Sequence, residues 1–120
     1  MSKFLIRRVS SGYKFDLYAA NGQSVASSEV YEARAACRKG IESVRKAAAA
    51  APVEDLTEPS HCVPNPKFQL YQDKSGQFRF RLKARNGKIV GISEGYTGKA
   101  GCLGGIESVK TNAPLAQTEG

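Results

Sequence analysis

Arg79, Arg81, Lys83 and Arg85 alternate with Phe78, Phe80, Leu82 and Ala84 in the stretch "FRFRLKAR". Side chains two apart on a strand point to one side, so this spacing predicts a row of four cations above an apolar underside. Cations about 7 Å apart along a strand can follow a phosphate backbone, and Tyr71 on a neighbouring strand can stack on a base. These five residues are the candidate polyanion site. A sheet with helices on one side also has a solvated far face for structural reasons alone, and that reading competes.

Other chemistry has fewer residues to draw on. His61 is the single histidine and stands beside Cys62. Adjacent side chains point apart, which argues against a Cys–His nucleophilic pair. Cys37, Cys62 and Cys102 are odd in number and lack C-x-x-C spacing, so neither a disulfide framework nor a zinc site is encoded. The glycines of "GCLGG" fall inside a predicted helix, and no phosphate loop with a Lys-Ser/Thr ending is present. No catalytic residue, metal or cofactor is expected, and the reading is of a protein that is not an enzyme.

The net charge of +7 on 120 residues favours acidic partners, either nucleic acid or an acidic protein. Up to Pro64 there are nine basic and seven acidic residues; beyond it there are nine and four, so the excess belongs largely to the second half. The first twelve residues have no apolar run of signal-peptide length, and Ala47–Ala51 is too short to cross a bilayer. With free cysteines, the expected home is the cytoplasm, with no membrane partner.

The elements that must hold the cation row come from a duplication. "FDLYAANGQSVASSEVYEARAACRKGIESVRKAA" from Phe15 aligns with "FRLKARNGKIVGISEGYTGKAGCLGGIESVKTNA" from Phe80 at a constant offset of 65. Dropping one residue after Gly12 extends the match back to Phe4 over Phe68. Each copy reads as three strands and a helix. Ser75-Gly76 turns the first strand back, and Asn86-Gly87 predicts a type I′ hairpin. Cys37, Ile41, Val44 and Ala48, like Cys102, Ile106, Val109 and Ala113, have helical spacing. Thr97 is the expected N-cap of the second helix, and Asn112 and Pro114 mark its end. Gly101, Gly104 and Gly105 weaken that helix, and Gly40 with Gly105 suggests close approach of helix to sheet. "PVEDL" offers a further strand. The boundaries are 1–56 for the first repeat, 57–66 for a proline-rich loop and 67–120 for the second repeat, the two forming one globular domain.

The run from "SGQFRFRLKARNGKIVG" to "GIESVKTNA", with its diverged upstream copy, resembles the YegP-like family of small bacterial proteins, a domain of unknown function. The resemblance implies an α+β fold: a tandem duplication of a β-β-β-α-β unit. The two copies would share one antiparallel sheet with a helix from each packed on it, and would exchange their last strands. It implies no activity and carries over no site residues.

Comparing the copies separates folding instructions from the remainder. The row facing away from the core is Arg79, Arg81, Lys83 and Arg85 in one copy but Lys14, Asp16, Tyr18 and Ala20 in the other. Ser28-Glu29 and Ser93-Glu94 recur where strand hands over to helix, and carboxylates there suit the helix dipole. Glu42 is spaced to pair with Arg38 and Lys46, partners that Glu107 lacks; Leu103 replaces Arg38 and becomes a candidate partner contact. The expectation is a monomer with internal pseudo-two-fold symmetry, acting as a protein-interaction or accessory module. The alternative is electrostatic binding of nucleic acid or another polyanion by the second copy's basic face.

Overall fold

Alternating apolar and polar residues make the chain extended from its start. β1 (Lys3–Val9), β2 (Gly12–Tyr18) and β3 (Ser24–Ser27) precede α1 (Arg34–Ala50) and a short β4 (Val53–Asp55). The second copy repeats this as β5 (Lys67–Gln72), β6 (Phe78–Lys83), β7 (Ile89–Ile92), α2 (Lys99–Asn112) and β8 (Gln117–Glu119). The computed structural model describes residues 1–59 and 62–120.

The eight strands form one sheet in the order β4-β5-β6-β7-β3-β2-β1-β8, which reads the same from either edge once the copies are interchanged. The copies meet at β3 and β7, where Ser27 faces Ile92. Last strands are exchanged as expected: β4 pairs with the second copy's β5, and β8 with the first copy's β1. The sheet is mixed rather than wholly antiparallel, because both exchanged strands run parallel to their neighbours. Each helix carries the chain across the sheet to the end where the other copy's first strand begins. Phe68 N–H accordingly donates to Pro52 O at 2.8 Å as β4 and β5 set off together.

The hairpin turns differ from the type I′ expectation. No described residue other than glycine has positive φ, whereas type I′ needs two such positions. Ala19–Gly22 and Ala84–Gly87 instead close by a glycine N–H to alanine O bond of 2.9 Å, with Gly22 at φ 86° and Gly87 at φ 84°. A register shift after Leu17 and after Leu82 accompanies each turn, as in a three-residue hairpin with a bulge. The asparagine contributes through its side chain: Asn21 and Asn86 accept the N–H of Gln23 and Lys88 at 3.0 Å.

Both helices cover one face, and the core lies beneath them. Phe4 meets Phe15 edge-on at 5.7 Å, and Phe15 stacks on Tyr31 at 6.3 Å. Phe68, Phe80 and Tyr96 repeat this at 5.9 and 6.5 Å. Each tyrosine is pinned by two backbone bonds, to Tyr13 or to Phe78. Its ring lies against Gly40 or Gly105, where an added Cβ would overlap the phenol hydroxyl. These glycines therefore admit a tyrosine ring between helix and sheet. A fully buried Phe contributes roughly 1.5–3 kcal/mol, against about 1 kcal/mol lost per helical glycine, so packing holds α2 together.

Thr97 does not cap α2. The residues at the cap positions are Ala33 and Gly98, neither with a side-chain cap bond. The tyrosine bridges already fix the entry to each helix. In the "SE" pairs it is the serine that acts: Ser28 Oγ and Ser93 Oγ accept the N–H of Phe15 and Phe80 at 2.9 Å. They donate in turn to the carbonyls of Glu29 and Glu94, whose carboxylates are exposed and outside the first helical turn.

Candidate functional site

The predicted cation row resolves into differently occupied groups. Arg79 Nε donates to Asp73 Oδ2 at 2.7 Å, and its Nη1 reaches Ser93 O at 3.3 Å. The Ser75 hydroxyl and Arg79 hold the Asp73 carboxyl well below the usual carboxylate range, so this pair is a neutralised unit. Arg81 Nε donates to Gln69 Oε1 at 2.7 Å, and its guanidinium lies 4.6 Å from the centre of the Tyr71 ring. Tyr71 therefore already holds a cation on its face. Lys83 is half-buried on the same open face. Arg85 lies beyond β6 in the hairpin turn, so the row on the strand has three members rather than four.

The first copy places different chemistry in the same positions. Arg7 stands where Tyr71 does, Asp16 where Arg81 does, and they form an ion pair of 2.7 Å. Ser27 Oγ donates to the other Asp16 oxygen at 2.5 Å. Where the copies join, a shallow hollow of about 510 Å³ is lined by Lys14 and its counterpart Arg79, but also by Glu94. The open face is thus mixed in charge.

The exchanged strands are fastened by charged groups. Glu54 and Lys67 are buried, 3.0 Å apart, on the open side of β4 and β5. Glu54 accepts Val63 N–H at 2.8 Å and Gln69 Nε2 at 2.7 Å, and these bonds, with Lys67, lower its pKa to about 2. Lys99 at the start of α2 reaches Asp55 at 2.9 Å and Glu58 at 3.0 Å. Burial pushes the Asp55 carboxyl up, yet bonds from Thr57 and Lys99 prevail and leave it at about 2. At the other edge Arg34, the counterpart of Lys99, donates to Gly120 O, and Lys3 lies 3.7 Å from Glu119.

Free cations gather on the helical side. A groove of about 560 Å³ runs between the second half of α1 and the β6–β7 hairpin, lined by Ser43, Lys46, Ala47, Ala84, Arg85 and Asn86 among others. It continues along α1 into a hollow of about 350 Å³ that shares Ser43 and Lys46 and adds Arg38, Lys39 and Glu42. Arg38, Lys39, Lys46 and Arg85 are exposed, and none forms an ion pair or side-chain hydrogen bond among the described residues. Glu42 pairs with Arg45 at 3.1 Å, not with the expected Arg38 and Lys46. Arg45 is positioned by Ala113 O and Thr118 Oγ1 at 3.1 and 3.0 Å, which draws its guanidinium to Glu42. Reading charges strand by strand missed this cluster, since its members come from one copy's helix and the other copy's hairpin. Leu103 is 40% exposed on α2.

The remaining groups offer little reactivity. Cys37 and Cys102 are fully buried, and burial raises both thiols, that of Cys102 to about 11. Cys62 is exposed, while His61 lies outside the described residues. Among the described residues no three of His, Cys, Asp and Glu group to hold a metal, and no helix is long and apolar enough to cross a membrane.

A model of the family described as Domain of unknown function (DUF1508) matches the chain twice, at residues 10–55 and 73–119, and the chain belongs to this family. The UPF0339 protein PA0329 of Pseudomonas aeruginosa is 34% identical over 116 residues, covering 96% of this chain and 93% of that protein. A UPF0339 protein of Treponema denticola is 62% identical over 50 residues, 42% of this chain but 86% of the relative, which is thus about one repeat long. The solution structure of yegP from E. coli, a protein of unknown function, superposes with a TM-score of 0.78 at 27% identity, covering 98% of this chain and 90% of that one. The expected family, tandem repeat and α+β fold are all borne out.

Proposed function

We propose that this protein is a non-enzymatic cytoplasmic module, a monomer, that meets an acidic partner electrostatically through an exposed helical surface. The observation that carries this reading is the pairing imbalance. Among the described residues, seven of the eleven acidic side chains are in ion pairs, against six of the eighteen basic ones. The surplus of unpaired cations therefore faces solvent, where it raises the local concentration of anionic partners. Sheet-edge docking is the weaker route, because β4 and β8 are three residues each and offer little ladder to a partner strand.

Titration of the protein with duplex nucleic acid, single-stranded nucleic acid and polyglutamate, each at low and moderate salt, tests the reading. Binding to at least one polyanion that weakens as salt rises is expected. Failure of all three at low salt overturns it.

A further inference from the structure

We propose that the groove between α1 and the β6–β7 hairpin, together with the hollow that continues it along α1, binds the phosphate backbone of duplex nucleic acid through Lys46 and Arg85 in the groove and Arg38 and Lys39 in the hollow. The inference rests on the electrostatic reading above and assigns it a place and a ligand chemistry.

The duplication supplies the first argument. At the related position, α2 and the β2–β3 hairpin form the same framework, and its neutral members persist: Ser43, Ala84 and Asn86 correspond to Ser108, Ala19 and Asn21. All four cations change. Arg38, Lys39, Lys46 and Arg85 correspond to Leu103, Gly104, Thr111 and Ala20. The fold is built equally well without them, so folding does not require the charges. Four cations without ion pairs at one of two equivalent places, with uncharged residues at the four counterpart positions, amount to a site added to a shared scaffold.

The lining identifies the occupant. Large apolar anchors dominate protein–protein interfaces, but the apolar members here are Ala47, Ala50, Ala84 and Pro66. The exposed Val30, Leu56, Leu103 and Leu115 are not among the lining residues. Among the described residues no aromatic side chain lines either hollow to offer a stacking platform for unpaired bases. Charge without anchors or stacking suits sequence-independent contact with phosphates. Lys39 and Lys46 lie two helical turns apart, about 10 Å along the axis, and Arg85 of the hairpin lines the groove with Lys46. Ser43 and Asn86 add neutral hydrogen-bonding groups. The one carboxylate nearby, Glu42, is occupied by Arg45.

Fluorescence anisotropy of a labelled duplex oligonucleotide over a salt series provides the test. For four phosphates neutralised, the slope of log K against log salt is expected near about −3.6, with dissociation constants on the order of 10⁻⁴ to 10⁻⁶ M. The variant Arg38→Gln/Lys39→Gln/Lys46→Gln/Arg85→Gln changes only exposed side chains and is expected to lose most of that slope and at least tenfold in affinity. The open-face variant Arg79→Gln/Arg81→Gln/Lys83→Gln is expected to keep both. Conversely, Ala20→Arg/Leu103→Arg/Gly104→Lys/Thr111→Lys is expected to create a second site and double the stoichiometry; a Cβ at Gly104 meets nothing within 4 Å. If the open-face variant loses binding and the groove variant retains it, the groove and the helical surface fall as the site, while electrostatic binding of a polyanion stands. Polyglutamate binding as tightly through the same four residues overturns the phosphate assignment. Single strands binding tenfold more tightly than duplex overturn the choice of duplex. If no polyanion binds the wild type, both readings fail together.

Discussion

Phe4, Phe15 and Tyr31 meet in the first copy as Phe68, Phe80 and Tyr96 meet in the second, with ring separations that differ by 0.2 Å at each contact. Outside the core the copies diverge in chemistry while retaining geometry. An Arg7–Asp16 ion pair in one becomes a Tyr71–Arg81 cation–π contact in the other. A buried Glu54–Lys67 pair at one edge becomes an exposed Glu119–Lys3 pair at the other. The fold dictates which positions touch, and leaves open what they carry. Duplication thereby provides an internal control, since a residue required by folding recurs and a residue retained for another reason need not.

The most severe way to break this comparison is to separate the copies. Residues 65–120 alone lose α1 and β4, and are expected to form a homodimer or remain unfolded in sedimentation and circular dichroism; a stable monomer would contradict the mutual dependence. Next come Gly40→Ala and Gly105→Ala, each forcing a Cβ onto a tyrosine hydroxyl. Overpacking of this kind costs about 1–3 kcal/mol, and denaturant unfolding should give similar losses for both. A large inequality would show that the two cores are not mechanically equivalent.

Acid should act unevenly on the two edges. A carboxyl whose pKa falls on folding stabilises the fold above its unfolded value and loses that contribution as pH drops through the folded one. For Glu54 that window runs from 4.5 down to about 2. Thermal melts are expected to show stability declining across it, and Glu54→Gln should lower the melting temperature at neutral pH and flatten the acid dependence. Glu119→Gln, at the exposed counterpart, should change stability by less than about 1 kcal/mol. The smallest effect is expected for Leu103→Arg, which restores the residue type of Arg38; a surface change of this kind stays within about 0.5 kcal/mol.

Much of this was readable from the residues. The offset between copies exposed the repeat, and the helical spacing of Cys37, Ile41, Val44 and Ala48 identified the face that is in fact buried. What escaped depends on contacts between copies or on neighbours in space. Arg85 looked like the end of a strand row, because nothing in "FRFRLKAR" announces that the bulge after Leu82 ends β6 at Lys83. The fit of Tyr31 and Tyr96 against Gly40 and Gly105 joins residues nine apart through tertiary packing, which no spacing in the sequence announces. On α1, the spacing of Arg38 and Lys46 points to ion pairs with Glu42 rather than to a cluster of free cations. Only the arrival of the other copy's hairpin makes them one wall of a groove.

The exchange of last strands also bears on how the chain is made. β1 is synthesised before the other strands of the sheet, but its outer neighbour β8 follows all of them, with Lys3 awaiting Gln117. Until then the outer edge of β1 is an open ladder, while β2 to β7 can already zip together. A nascent chain thus passes through a stage with a nearly complete sheet and one unguarded edge, the kind of surface that pairs wrongly with neighbours on crowded polysomes. Translation pauses between β7 and β8 would lengthen that exposure.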